Sequence, residues 1–233
     1  MVTTTFHMIN GHVRNFSSHV ARLINAVPAS VDYEPRIRER LRAAAPDVYP
    51  WVTVEDHTFN VEIKPFRPSP SDLTLDVHGH RDERAHPVIK GRDFAWQARA
   101  LAASRRQGAD EGLLVDERGM AVSAIEASLF VIEGEMVFYS THPRTLSSVI
   151  ETQVVEYLAT LGATPKARPE GFNIEELRSA EVWLLDSCNG ARRVAAWVEY
   201  GSTFPVAEVR PVAAFIPTIA EVNDHLWEIA EEV

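Results

Sequence analysis

Cysteine, basic charge and long hydrophobic runs are all scarce in this 233-residue sequence, and each scarcity excludes a class of protein. The single cysteine, Cys188, rules out an internal disulfide. The 23 basic residues against 33 acidic ones give a formal net charge of -10, which argues against a general nucleic-acid-binding surface. No apolar run reaches the length of a membrane span, and the N-terminus lacks the pattern of a signal peptide. We therefore expect a cytoplasmic protein with no nucleic-acid partner and no membrane partner.

Lysine is scarce as well, because only Lys64, Lys90 and Lys166 carry side-chain amines while the other basic residues are arginines. Lys90 follows the apolar pair Val88-Ile89 and precedes a predicted helix. A lysine with apolar neighbours loses hydration, which lowers its pKa and makes its amine a better nucleophile. The same spacing also fits an ordinary solvated surface lysine.

Hydrophobic periodicity predicts strands and helices in both halves of the chain, which is typical of an α+β protein. The predicted helices cover 18–26, 34–45, 93–107, 146–161, 174–179 and 219–232. The predicted strands cover 4–9, 51–55, 59–65, 73–78, 112–115, 128–133, 136–140, 181–186, 194–200 and 206–213, with a short one near Lys166.

The polar, unpatterned stretch at 79–86 reads as a connection between two halves. We therefore predict a small N-terminal domain over 1–80, a linker over 81–89 and a larger C-terminal domain over 90–233.

Two further groups of side chains are candidates for binding. Ser147-Ser148 stand at the start of a predicted helix, and Ser187 precedes Asn189-Gly190. Hydroxyls and free backbone N–H groups bind phosphate at such positions, although ordinary helix capping explains the same serines. His78 and His80 alternate on a predicted strand, as metal ligands can, but no further ligand stands at a recognisable spacing. We expect no metal site, so a metal-dependent hydrolase is a remote alternative.

Several segments together resemble the class IV aminotransferases, the fold-type-IV enzymes that use pyridoxal phosphate. The matching segments are 10–23 (NGHVRNFSSHVARL), 87–90 (PVIK), 108–119 (GADEGLLVDERG), 128–130 (SLF) and 180–187 (AEVWLLDS). This family includes branched-chain and D-amino-acid aminotransferases and 4-amino-4-deoxychorismate lyase. The resemblance implies a two-domain α+β fold, a homodimer, and either amino transfer or lyase elimination on a small amino-acid-like substrate.

The resemblance also assigns roles to individual residues. Lys90 corresponds to the catalytic lysine that binds the cofactor covalently and moves the proton at the substrate α-carbon. Its implied cofactor-binding companions are Arg22, Ser123, Val149, Ile150 and Ser187. Its implied substrate-binding residues are Arg67, His78, His80, Asn189 and Gly190.

Some positions depart from the family pattern. Ser123 stands where the family has the glutamate that pairs with the pyridine nitrogen, which weakens the ring as an electron sink and favours lyase chemistry over amino transfer. Glu126 follows three residues later and replaces that carboxylate only if the loop is rebuilt. Ser128 replaces an asparagine, and Glu151 stands where an arginine is frequent. These departures leave a second function open, a cofactor-free binding protein on the same fold.

Overall fold

The computed structural model describes residues 1–55, 58–206 and 209–233, with the side chains of residues 29 and 30 left aside. Within these residues runs of consecutive strands are interrupted by helices, which is the pattern of an α+β fold. The helices are α1 (Phe16–Ala26), α2 (Glu34–Arg42), α3 (Phe94–Arg106), α4 (Glu151–Thr160), α5 (Ile174–Arg178) and α6 (Ile219–Glu228), with a 3-10 helix over Pro28–Tyr33. No helix in the described residues is long and apolar enough to cross a bilayer.

The strands of the first sheet come mainly from the beginning of the chain, and its order is β1-β4-β2-β3-β15 with β5 paired to β4. They are β1 (Val2–Thr5), β2 (Met8–Ile9), β3 (His12–Val13), β4 (Asp47–Glu55), β5 (Thr58–Pro65) and, from the other end of the chain, β15 (Glu231–Glu232). Asn10 and Gly11 both have positive φ and turn β2 into β3, as the predicted Asn-Gly hairpin requires.

The second sheet has nine strands in the order β11-β10-β9-β12-β13-β6-β7-β8, with β14 paired to β13. They are β6 (Asp72–Arg81), β7 (Glu111–Val115), β8 (Ala121–Ala124), β9 (Ser128–Glu133), β10 (Met136–Ser140), β11 (Thr164–Arg168), β12 (Glu181–Asp186), β13 (Gly190–Glu199) and β14 (Ser202–Pro205). The four central residues of β9 are apolar and pack on both faces of the sheet, because Leu129 and Val131 lie in one buried cluster while Phe130 and Ile132 lie in another.

Strand β6 continues beyond the strand predicted over 73–78 and enters the polar stretch at 79–86. Residues 79–81 continue β6, which pairs in parallel with β13 and β7 of the second sheet. Gly79 allows this continuation because it has a positive φ and a side chain there would contact Leu113. The chain leaves the second sheet only after Arg81, and the turns that follow carry Lys90 to the start of α3.

Other predicted elements also have different bounds. The helix predicted over 219–232 ends at Glu228, and Glu231–Glu232 form a strand instead. The helix predicted over 146–161 begins at Glu151. The sequence predicts a strand over 206–213. Residues 207–208 of that range lie outside the described residues, and the neighbouring strand β14 ends just before it, at Pro205. Val212 makes only an isolated bridge to Gly134. Strand β8, which no periodicity in the sequence indicated, forms at the edge of the second sheet against β7.

Candidate functional site

Lys90 lies in a segment of turns that docks on the first sheet. The Thr3 N–H donates to the Lys90 carbonyl at 2.9 Å. Gly91, next in sequence, has a φ of +110° and lies so close to Thr3 that a Cβ would be 2.7 Å from its Oγ1. Because a side chain at position 91 would push this segment away from β1, the glycine is needed for the close approach.

A second set of contacts fixes the chain just before Lys90. The side chain of Asp82 is fully buried and accepts from Arg84 and Arg144, in each case with an Nε–O distance of 2.9 Å. Arg84 in turn donates to the Pro87 carbonyl at 3.2 Å. Asp93, just before α3, accepts from the N–H groups of residues 85 and 86. Lys90 therefore sits on a segment held at both ends.

Lys90 faces a cavity of about 360 Å³ that is walled by both sheets. Thr5, Tyr49 and Trp51 come from the first sheet, and α1 contributes Arg22. From the second half of the chain the wall includes Glu111, Ser123, Glu126, Ser128, Ser147, Ser148, Asp186, Ser187, Cys188, Asn189 and Arg192. A volume of this size accommodates an organic cofactor or a small substrate.

The electrostatic surroundings of Lys90 favour the free amine. Burial lowers the pKa of Lys90 from its usual value, and the nearby charge of Arg22 lowers it further, while Asp186 and Glu126 oppose this effect. Cys188 is adjacent, but burial raises the pKa of its thiol to about 11, so it carries no charge near neutral pH. An amine in such surroundings is a better nucleophile than an exposed lysine.

One end of the cavity combines an arginine with a helix start. Arg22 donates to the Ser147 carbonyl at 2.6 Å, just before α4. Within the described residues the backbone N–H groups of Val149 and Ile150 have no protein acceptor. Val149 lies on the adjoining surface together with Arg22, Ser148 and Lys90, while Ile150 is fully buried. A guanidinium beside free amides at a helix N-terminus is the donor set that a phosphate needs.

The same end carries an acid that opposes an anion. Glu151, the first residue of α4, is buried, and burial raises the pKa of its carboxyl while Ser128, Ser147 and the charge of Arg22 lower it. Ile150 is the N-cap residue of α4, and no side chain caps the helix there.

Three serines predicted at the site lie in the cavity wall. Ser123 on β8 is buried, and its Oγ has no hydrogen-bond partner among the described residues. The Oγ of Ser148 is likewise buried without a partner there. Ser187 donates from its Oγ to the Thr5 carbonyl at 2.7 Å, which leaves its lone pairs available to accept. Buried hydroxyls without partners are costly, so Ser123 and Ser148 are suited to hydrogen-bond a bound group.

The predicted substrate-binding residues are only partly brought to the cavity. Asn189 lines the wall and is held by Asp186. Gly190 is buried against Asn223 and Arg14, where a Cβ would clash with the Asn223 side chain. Arg67, His78 and His80 are not among the described residues that line the cavity.

Each of these three side chains has its own surroundings. Arg67 is exposed in the loop between the two sheets. His78 lies against Tyr200, with ring centroids 4.0 Å apart. His80 hydrogen-bonds to Ser104, which donates to Asp76. No group of three or more His, Cys, Asp or Glu side chains in the described residues is arranged to hold a metal.

Sequence reasoning missed several wall residues because they become neighbours only through sheet pairing. Tyr49, on β4, lies beside Thr5 and Cys188, and burial raises its pKa, so it stays a neutral phenol. Glu111, on β7, is buried, and burial together with the nearby Glu126 raises the pKa of its carboxyl to about 8. Asp186 is paired with Arg192 at 2.8 Å. The alternating pattern of β4 places Tyr49 and Trp51 on one face, which is the only signal the sequence offered for them.

Comparisons with known proteins agree with this arrangement. Residues 1–197 match the family described as amino-transferase class IV. No curated protein sequence matches the chain significantly.

Several solved structures share the fold. The 4-amino-4-deoxychorismate lyase from Pseudomonas aeruginosa is 18% identical with a TM-score of 0.73, covering 98% of this chain and 90% of that one. A branched-chain aminotransferase from Thermoproteus uzoniensis with norvaline is 14% identical with a TM-score of 0.75, covering 97% and 83% of the two chains. An aminotransferase from Brucella abortus bound to pyridoxal phosphate is 18% identical with a TM-score of 0.73, covering 98% and 88%. The predicted fold-type-IV architecture is confirmed, and nothing here supports the cofactor-free alternative.

Proposed function

The chain belongs to the class IV aminotransferase family, whose members use pyridoxal phosphate, and from this premise we propose that Lys90 carries the cofactor. The observation that carries the proposal is the position of Lys90. Its amine, with a lowered pKa, faces a cavity that also holds the guanidinium of Arg22 and borders the free amides at the start of α4.

The residues of the cavity fit this cofactor. Arg22, the amides of Val149 and Ile150, and the Ser187 hydroxyl would hold its phosphate. The unpartnered Oγ of Ser123 would hydrogen-bond to the ring. When bound, the cofactor supplies an electron-accepting ring that stabilises negative charge at the substrate α-carbon.

This chain's own residues then do the acid–base work. The Lys90 amine would take the α-proton of the substrate as a general base and would return it as a general acid at a later step. Its lowered pKa keeps it in the free-base form that accepts a proton. Tyr49, Thr5 and Cys188 line the wall as uncharged neighbours, so they do not bind the amine as counter-ions.

The substrate is a small amino-acid-like molecule, and the reaction is amino transfer or an elimination like that named for the Pseudomonas aeruginosa neighbour. Ser123 favours the elimination, because a hydroxyl cannot neutralise a protonated ring nitrogen as a carboxylate does. A 2-oxo acid acceptor separates the two reactions. Turnover that requires the acceptor identifies amino transfer, turnover without it identifies a lyase, and loss of both in K90A supports Lys90.

Asn189 is the predicted substrate contact that lines the cavity, and we propose that it meets the substrate there. Arg67, His78, His80 and Gly190 stay proposals for the substrate side, and single alanine replacements of Arg67, His78 and His80 test the first three through KM. We also propose that the protein is a cytoplasmic homodimer, and light scattering tests the dimer by its mass. In each subunit, the region built around the first sheet would be the smaller domain.

A further inference from the structure

Glu126 is a cavity-wall carboxylate that the family's assigned roles leave unused. It sits between β8 and β9, in a three-residue connection. The Ala124 N–H donates to the Ala127 carbonyl at 3.0 Å, and the Ile125 N–H donates to the Gly112 carbonyl at 2.9 Å. These bonds fold the connection into a fixed turn.

The turn is anchored from the other side by α3. Ile125 is buried in a cluster that includes Leu101 of α3, and its carbonyl accepts from the Gln97 side chain at 2.6 Å. With Ile125 fixed inward, Glu126 faces two spaces. One is the Lys90 cavity, and the other is a surface groove along α3 that contains Arg105. Glu126 is therefore exposed to solvent on one side while it lines the Lys90 cavity on the other.

The other acids of the cavity are already engaged. Asp186 accepts from the N–H groups of Cys188 and Asn189 and from Arg192. Asp110 accepts from Thr74. The buried carboxyl of Glu111 has a pKa of about 8, so most of it is uncharged at neutral pH. Among the described residues, Glu126 has neither a hydrogen bond nor an ion-pair partner within 4 Å, so its charge is free to act across the cavity.

Resting on the proposed function, we propose that Glu126 is the counter-charge of Lys90, stabilising the ammonium form that Lys90 takes when it holds the substrate proton. Glu126 acts on the reaction through Lys90. Desolvation raises the pKa of the Glu126 carboxyl, and the charge of Lys90 is the largest of the effects that lower it; Glu126 in turn favours the Lys90 ammonium.

In the part of the chain that the structure describes, the other charged and titratable groups near Lys90 do not supply a free negative charge. Arg22 and the neutral His19 come from α1, and neither attracts a proton to Lys90. Cys188 is a neutral thiol, and Asp186 is held by Arg192. Glu126 is the remaining acid in this set. A single charge that faces another group across a solvated cavity shifts the pKa of that group by up to about one unit.

The test measures the protonation of Lys90 directly. Cofactor-free protein is labelled with a trace of acetic anhydride at a series of pH values, and mass spectrometry reports the acetylated fraction of each lysine. Lys64 and Lys166 lie outside the cavity wall and serve as internal references in every sample. The variants are E126Q, which removes the charge, E126D, which keeps it, and E117Q, which removes an exposed acid elsewhere.

We expect the Lys90 profile of E126Q to move to lower pH by about one unit, while E126D stays near wild type and E117Q does not move. The visible spectrum of the loaded protein, titrated with pH, should show a shift in the same direction. Superimposable Lys90 profiles for wild type and E126Q would overturn the proposal. A protein that binds no pyridoxal phosphate would overturn the proposed function instead, and the acetylation profile would still report on Glu126.

Discussion

Glu151 should weaken the binding of phosphate at the start of α4, and its removal should strengthen that binding. The carboxyl is buried in the first turn of the helix and shares its surroundings with Arg22. An ionised carboxylate repels an arriving phosphate dianion and attracts the guanidinium that would bind it. In E151Q both effects disappear while the shape of the side chain is kept.

The size of the effect follows from Coulomb's law. A carboxylate and a dianion about 8 Å apart, with an effective dielectric constant of about 40, repel each other by about 2 kcal/mol, a factor of about 30 in affinity. The pH dependence has a defined sign. Because burial raises the Glu151 pKa, the wild-type carboxyl becomes neutral as the pH falls, and the advantage of E151Q shrinks accordingly.

The assay titrates cofactor-free protein with inorganic phosphate and with pyridoxal phosphate, following tryptophan fluorescence at pH 8 and at pH 5.5. E156Q is the matched control, because Glu156 is exposed on the same helix. We expect E151Q to bind both ligands about ten to thirty times more tightly at pH 8, with a smaller gain at pH 5.5. Equal affinities for E151Q and E156Q at pH 8 would refute the reasoning.

Three further predictions concern stability. D82N should lower the free energy of unfolding by about 3 kcal/mol in urea melts, because Arg84 and Arg144 lose the buried carboxylate that pairs them; an unchanged midpoint would contradict this. For Glu111, the folded pKa of about 8 exceeds the unfolded value, so the free energy of unfolding of wild type should fall as the pH rises from 5 to 8. The free energy of unfolding of E111Q should depend less on pH, and an equal pH dependence in the two proteins would argue against this. G190A should destabilise by at least about 2 kcal/mol, since position 190 has a φ of +82° and no room beside Asn223; a melting temperature equal to wild type would oppose it.

The elements that sequence predicted well are those with strong local patterns. Helix α3 ends where Gly108, with a φ of +92°, was expected to stop it, and the β9–β10 hairpin turns at Gly134. Lys90 could be identified as the candidate reactive amine because the chain has only three lysines and because the surrounding segments resemble a known family. In these places the local chemistry of turns and caps agrees with the fold.

The failures have tertiary causes. The four-residue strand β8 is too short for a period to be visible, and its pairing with β7 defines it. Helix α4 starts late because Ser147 and Ser148 are held by Arg22 and Ser128 in a non-helical segment. The neighbours of Lys90, such as Tyr49 and Glu126, come from distant parts of the chain, so no spacing rule could find their proximity.

The central claim is that Lys90 carries the cofactor, and borohydride reduction tests it most directly. Purified protein is loaded with pyridoxal phosphate, its visible spectrum is recorded, and the reduced adduct is located by peptide mapping among Lys64, Lys90 and Lys166. We predict a yellow protein whose adduct lies on Lys90 alone and is absent from K90A. A colourless protein, or an adduct on Lys64 or Lys166, would contradict the account.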